Sequence, residues 1–246
     1  MRLLIFIFIT TILICCNSSK EKINSFQLDA QTDSIVNKTV DAMGGYQKWK
    51  AIHYISWTFF GRRDLIWDKY GNRVRIDSPG DSSIYILNMD DMSGRVLLHG
   101  QEVMHSDSLS KYLNIAKRIW INDSYWLAMP FKLEDKGVST KYVRSDTTLV
   151  GSAADVLQLT FDGVGVTPQN KYEVYVDKKT DLILQWAFFR DVNQETDPAI
   201  WPWDNYKEFN GVLISGNRSD GRGPSNVKVF DALGGRLFED FTTPSF

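Results

Sequence analysis

The run Lys171–Phe189, KYEVYVDKKTDLILQWAFF, constrains this chain more than any other stretch. Tyr172, Val174 and Val176 alternate with Glu173, Tyr175 and Asp177, the period of a half-buried strand. Asp177–Asp181 then breaks the apolar pattern with charged and turn-forming residues. The return run alternates again. It predicts Leu182, Leu184, Trp186 and Phe188 on one face, and Ile183, Gln185, Ala187 and Phe189 on the other. A lone hairpin with one aromatic face is not stable in water. Further strands must extend it, and either the protein's own core or a bound ligand must cover that face.

Similar runs recur along the chain. Tyr54–Gly61 puts Ile55, Trp57 and Phe59 on one face; the pairs Leu65 and Trp67, Val74 and Ile76, and Tyr85 and Leu87 follow between turns. Arg95–His99, Val138–Thr148, Val156–Phe161 (with Leu157, Leu159 and Phe161 aligned), Tyr206–Ser215 and Val227–Phe230 add strands. Short alternating runs with regular turns predict antiparallel pairing. Helices interrupt them. Thr32 or Asp33 is placed to cap a helix bearing Ile35, Val36, Val40 and Met43, stopped by Gly44-Gly45 and followed by a further turn to Ile52. A second, over about 106–128, carries Leu109, Tyr112, Leu113, Ala116, Ile119 and Trp120 on a broad apolar face and runs on through Trp126 towards Pro130. Asp191–Asn205 reads as a long loop. The expected fold class is mainly β with helical insertions, residues 32–246 forming one domain.

Eight Trp residues among 246 need either large packing partners or a binding surface. Basic residues number 28 and acidic 30, with no basic stripe, so nucleic acid is not an expected partner. Cys15 and Cys16 are the only cysteines, which leaves the folded part without a disulfide framework or a cysteine zinc site. His53, His99 and His105 lack the helical spacing of a zinc protease. With no nucleophile elbow or phosphate loop either, the expectation is a protein without cofactor or catalytic residues.

The N-terminus, MRLLIFIFITTILICC, places Arg2 before the apolar stretch Leu3–Ile14, too short for a stable span and of the length of a signal-peptide core. Its end, Leu13-Ile14-Cys15-Cys16, resembles the lipobox of bacterial lipoproteins. The resemblance implies cleavage after residue 15 and acylation of Cys16, which would anchor the chain in a membrane. Residues 16–31 are polar and aperiodic and read as a tether.

Four further stretches carry a second resemblance: VDAMGGYQKWKAI (residues 40–52), YWLAMPFKL (Tyr125–Leu133), YEVYVDKKTDLI (Tyr172–Ile183) and WDNYKEFNGVLIS (Trp203–Ser215). In that order they resemble the LolA-like envelope proteins, especially exported, lipid-anchored Bacteroidetes members. The resemblance implies a strongly curved antiparallel sheet, a half-open barrel, with helices covering its concave face. It also implies that lipid or a lipoprotein acyl chain is held there. An outer-membrane location and a monomeric state are expected. The carriers of this group are soluble, whereas this chain carries a lipobox-like end.

The inward-facing candidates for an apolar cavity are Trp57, Phe59, Trp67, Tyr85, Leu87, Trp120, Trp126, Leu159, Tyr172, Val174, Trp186 and Phe188. The same side chains could instead form a plain filled core. Two other readings stand beside the lipid binder. One is a surface module gripping glycan or protein through Trp201 and Trp203. The other is a hydrolase using Asp191, Glu195, Asp197 and Asp204 beside those rings. A flat, accessible Trp pair would favour the module; a continuous apolar pocket under the helices would favour the lipid binder.

Overall fold

The computed structural model describes residues 30–244; the signal-like run, Cys16 and most of the tether lie outside them. The first helices are α1 (Ala30–Ala42) and α2 (Gly45–Ala51). Strands β1 (Tyr54–Phe59), β2 (Arg63–Asp68), β3 (Arg73–Ser78), β4 (Ser83–Asn88), β5 (Gly94–Leu98) and β6 (Gln101–Glu102) follow as a meander. Helix α3 (Ser106–Ala128) then crosses to β7 (Val138–Thr147), β8 (Ala153–Phe161), β9 (Lys171–Asp177), β10 (Ile183–Phe189) and β11 (Ala199–Pro202). The chain ends with β12 (Asp204–Phe209), β13 (Val212–Asn217) and β14 (Pro224–Phe230).

All pairings are antiparallel. Seven strands run in the order β14-β1-β2-β3-β4-β5-β6, and five in the order β11-β10-β9-β8-β7. The β12–β13 hairpin bridges the two: β12 lies against β10 and β13 beside β14. The Trp203 amide donates to the Leu184 carbonyl at 2.8 Å across the first of these seams. The expected curved, half-open sheet is thus present as three ladders laid edge to edge, mainly β and not closed.

Helix α3 spans the inner side. Leu113 and Ala116 sit in the core of the seven-stranded sheet, with Ile55, Trp57, Leu65, Val74, Ile76 and Leu87 beneath them. Further along, Tyr125 and Trp126 reach the second core, built on Leu157, Leu159, Val174, Val176, Ile183 and Trp186. One helix therefore covers both sheets, as its long apolar face requires. It is pinned between the two by Arg63 on β2, which donates to both oxygens of the fully buried Asp123 carboxylate at 2.8 and 2.9 Å. Desolvation raises the Asp123 pKa, and the Arg63 hydrogen bonds oppose that rise.

Three local features depart from the sequence reading, and a fourth lies outside it. A β-bulge between Ile183 and Gln185 resets the alternation of β10, so Ile183 shares the core face with Trp186 and Phe188. Thr32 lies inside α1 rather than capping it, and its hydroxyl accepts the Tyr142 amide proton of β7 at 2.9 Å. The stretch read as a loop contains the edge strand β11, paired with β10 through Trp201↔Trp186. Finally, the outer face of the seven-stranded sheet is covered. Phe238 packs on Tyr54, Ile66 and Ile86, and Arg75, on that face, is fully buried and donates to the carbonyls of Leu237 and Asp240 at 3.2 and 2.9 Å.

Candidate functional site

Between the second half of α3 and the five-stranded sheet lies a cavity of about 300 Å³. Three elements wall it. From α3 come Ile121, Asn122, Tyr125 and Trp126; from the strands come Phe161, Tyr172, Trp186, Phe188 and Trp201. The remaining wall is the β8–β9 loop, with Val164, Gly165, Val166, Thr167 and Asn170. The cavity reaches the surface at Asn122, Gly165 and Thr167, which are exposed.

The strand register explains why these rings converge. Phe188 sits opposite Tyr172, and Trp186 sits opposite Val174 on one side and Trp201 on the other. Side chains on one face of neighbouring strands stand close enough for rings to touch. Trp186 stacks on Trp201 with centroids 5.1 Å apart and meets Tyr172 at 4.9 Å. Trp126 descends from the helix edge-on to Trp186 at 4.6 Å and to Trp201 at 5.9 Å. Tyr125 contacts Tyr172 and Phe161 at 5.7 and 6.1 Å. The result is a continuous aromatic lining rather than a filled stack, because the β8–β9 loop places small residues where another large ring would be needed to fill the space.

Two polar atoms in this wall lack a protein partner among the described residues: the Tyr125 hydroxyl and the Trp186 indole nitrogen. Buried donors of this kind normally have a partner. Burial holds the Tyr125 phenol well above its ordinary range and raises that of Tyr172. Both phenols therefore stay protonated near pH 7.

Of the sequence candidates, Trp126, Tyr172, Trp186 and Phe188 line this cavity. Leu159 and Val174 lie beneath them in the same core. Trp57, Phe59, Trp67, Tyr85 and Leu87 belong to the other core, under the first half of α3, and Trp120 packs against that core from the helix itself. Sequence reading missed the β8–β9 loop. Its signal was Val164 and Val166, apolar residues standing amid Gly, Thr and Pro where a surface loop has no use for them. Trp201, expected as a ring of a surface module or of a hydrolase loop, is a wall residue here.

Trp201 and Trp203 do not form a flat exposed pair. Trp203 is 1 % exposed and lies under the Arg218 guanidinium, whose carbon is 3.3 Å from the ring centroid. Among the loop carboxylates, Asp191, Glu195 and Asp197 are exposed, and Asp204 accepts from the Asn217 amide at 2.6 Å. No group of three or more His, Cys, Asp or Glu positioned to hold a metal occurs among the described residues. A wider hollow of about 680 Å³ on the outer face of the seven-stranded sheet is lined by polar groups such as Ser56, Thr58, Asp64 and Asp77.

Another hollow, of about 330 Å³, adjoins the aromatic cavity, and Trp126 and Trp201 line both. Its other lining residues are Phe59, Phe60, Arg62, Arg218, Ser219 and Arg222. Arg218 is 1 % exposed and donates to the carbonyls of Trp126, Asn217 and Ser215 and to the Ser215 hydroxyl. It has no ion-pair partner among the described residues, and its Nε is buried without an acceptor. Desolvation lowers its pKa to about 9, so it stays cationic near neutral pH.

No protein-family model matches the chain, and no curated protein matches it. Among solved structures, it is similar to a DUF1329 family protein from Desulfovibrio piger, with 12% identity over 84% of this chain and 96% of that one, TM-score 0.43. It is also similar to a LolA superfamily protein from Nitrosomonas europaea, with 10% identity over the same shares and TM-score 0.40. MucB, in its complex with MucA, shows 11% identity over 86% of this chain and 60% of its own length, TM-score 0.24.

Proposed function

We propose that this protein is a lipid-anchored, non-catalytic binder of a single acyl chain, held in the aromatic cavity under α3. The observation that supports this most is the cavity itself: apolar, about 300 Å³, and bordered by Trp126, Tyr172, Trp186, Phe188 and Trp201. A cavity of about 150 Å³ holds one benzene ring, so twice that volume suits about a dozen carbon atoms. One partly inserted chain fits; the several chains of a whole lipoprotein anchor do not.

Affinity arithmetic adds a constraint. About ten buried methylenes contribute roughly 8 kcal/mol at ~0.8 kcal/mol each. Association costs at least about 4 kcal/mol. The remainder, about 4 kcal/mol, is no better than a millimolar affinity. Polar contacts must therefore supplement the chain, and the exposed lining residues Asn122 and Thr167 at the mouth are placed to provide them.

The anchor is the second part of the proposal. The lipobox-like end assigns acylation to Cys16 and a cell-envelope location, with the outer membrane as the expected face. Among the described residues no helix is long and apolar enough to cross a membrane. Native mass spectrometry of the protein after gentle extraction tests the ligand. One non-covalent lipid per chain is expected in addition to the covalent anchor, and a uniformly ligand-free spectrum would count against the cavity as a binding site.

A further inference from the structure

The arginine hollow beside the cavity has no use in the acyl-chain reading, yet it is built with care. The turn joining β1 to β2 carries Arg62, and the turn joining β13 to β14 runs from Arg218 to Arg222. Pairing of β1 with β14 sets these turns side by side, and the Phe60 amide donates to the Gly223 carbonyl at 3.3 Å. The exposed Arg62 and Arg222 thereby border one hollow, with the buried Arg218 also in its lining and no acidic residue among the lining residues. Arg62 makes no side-chain hydrogen bond among the described residues. Arg222 has only Asp220, at 3.7 Å with both side chains largely exposed, a contact that holds it weakly. Arg218 is buried, its two terminal nitrogens held by protein oxygens, and it adds a fixed positive charge behind the hollow rather than a ligand contact.

We infer that this hollow receives the phosphate of a single-chain lipid whose acyl chain occupies the aromatic cavity, the two parts meeting at Trp126 and Trp201. The inference rests on the acyl-chain reading and specifies the ligand class. Charge complementarity selects phosphate over carboxylate. A carboxylate brings one charge and two oxygens, whereas a phosphate monoester brings three free oxygens and between about 1.5 and 2 charges at pH 7. Arginine pairs with such oxygens in a bidentate fork, giving both strength and orientation. The Trp pair between the hollows gives the glycerol backbone an aromatic seat.

The test compares two lipids with the same chain, a monoacylglycerol phosphate and the neutral monoacylglycerol, titrated calorimetrically into the purified protein below their micelle concentrations. The phosphate form is expected to bind at least about tenfold tighter, consistent with two charge-assisted hydrogen bonds. The exposed double variant Arg62→Gln/Arg222→Gln avoids disturbing buried Arg218 and should narrow the gap between the two lipids at least about threefold, the remainder being set by the Arg218 charge that stays in place. Raising the salt concentration should narrow the gap in the wild type. Equal affinities in the wild type, with the neutral lipid binding saturably, would overturn the headgroup site and leave the cavity reading standing. A gap undiminished by the double variant would also overturn it. Glycerol phosphate competing as well as the full lipid would show an anion site unconnected to the cavity. Absence of binding by either lipid would overturn both readings.

Discussion

Trp186 shows how one side chain serves both stability and site. It is 3 % exposed, touches Tyr172, Trp126, Phe188 and Trp201, and still borders the cavity. Trp→Ala in a filled core costs about 3–5 kcal/mol, and a ring with a cavity on one side belongs at the low end of that range. Trp186→Ala is therefore expected to lose about 3 kcal/mol in urea unfolding; a loss below about 1 kcal/mol would contradict the packing described. Lys69 gives a pH signature. Its ammonium lies over the Trp49 ring and donates to the Trp49 carbonyl, and burial, assisted by Lys132, lowers its pKa from 10.5 to about 8. Between those two values the unfolded chain binds one proton more than the folded chain, so this residue makes stability rise with pH across that window. The stability difference between wild type and Lys69→Met should grow in favour of the wild type from pH 8 to about 10. A flat difference would mean the ammonium is not desolvated.

At the scale of elements, α3 is held by its apolar face and by the Arg63–Asp123 pair. The two partners are not equivalent: Arg63 keeps 23% of its side-chain exposure, while Asp123 has none. Arg63→Ala strands a buried carboxylate and is expected to cost about 3 kcal/mol, whereas Asp123→Ala leaves a guanidinium that can turn to water and should cost less. The reverse order in chemical denaturation would contradict this placement. Gly44 ends α1 with φ of 105°, and a Cβ there would stand 2.1 Å from the Gly211 carbonyl oxygen. Gly44→Ala should cost at least about 2 kcal/mol, from backbone strain and from lost contact between α1 and the β12–β13 turn. Much at this scale was legible in the sequence. The Gly-Gly stop, the helix over 106–128 and the alternating strands all follow from periodicity and turn chemistry. The bulge in β10 was not, because alternation carries no mark of an inserted residue. Nor was β11, since Pro198 and Pro202 with Asp191 and Asp197 read as loop composition while the strand forms through pairing with β10.

Across the whole molecule, α3 and the three sheets enclose two inner cores, with a cavity beside the smaller. The aromatic content of the hairpin signalled that something must cover it. Periodicity alone did not indicate which part of that face is filled, because the answer depends on where α3 crosses and on the small residues of a distant loop. Trp57 and Trp186 look alike in sequence, yet one lies fully inside the larger core and the other walls the cavity. The anchor can be tested at this scale too. Cys16→Ala should abolish labelling by a fatty-acid analogue and release the protein from membranes or leave it uncleaved, whereas Cys15→Ala should change neither; label retained in Cys16→Ala would reject the assignment.

The central claim is that an acyl chain occupies the space under α3, and filling that space tests it most directly. Val166 lines the cavity from the β8–β9 loop, away from the strand ladders. Val166→Trp should occupy the cavity without overpacking a filled core, so melting should change little. Titration with a fluorescent fatty acid should give saturable, one-to-one binding to the wild type and at least about tenfold weaker binding to Val166→Trp, a difference of about 1.4 kcal/mol. Equal binding by both proteins, or no saturable binding by the wild type, would contradict the account.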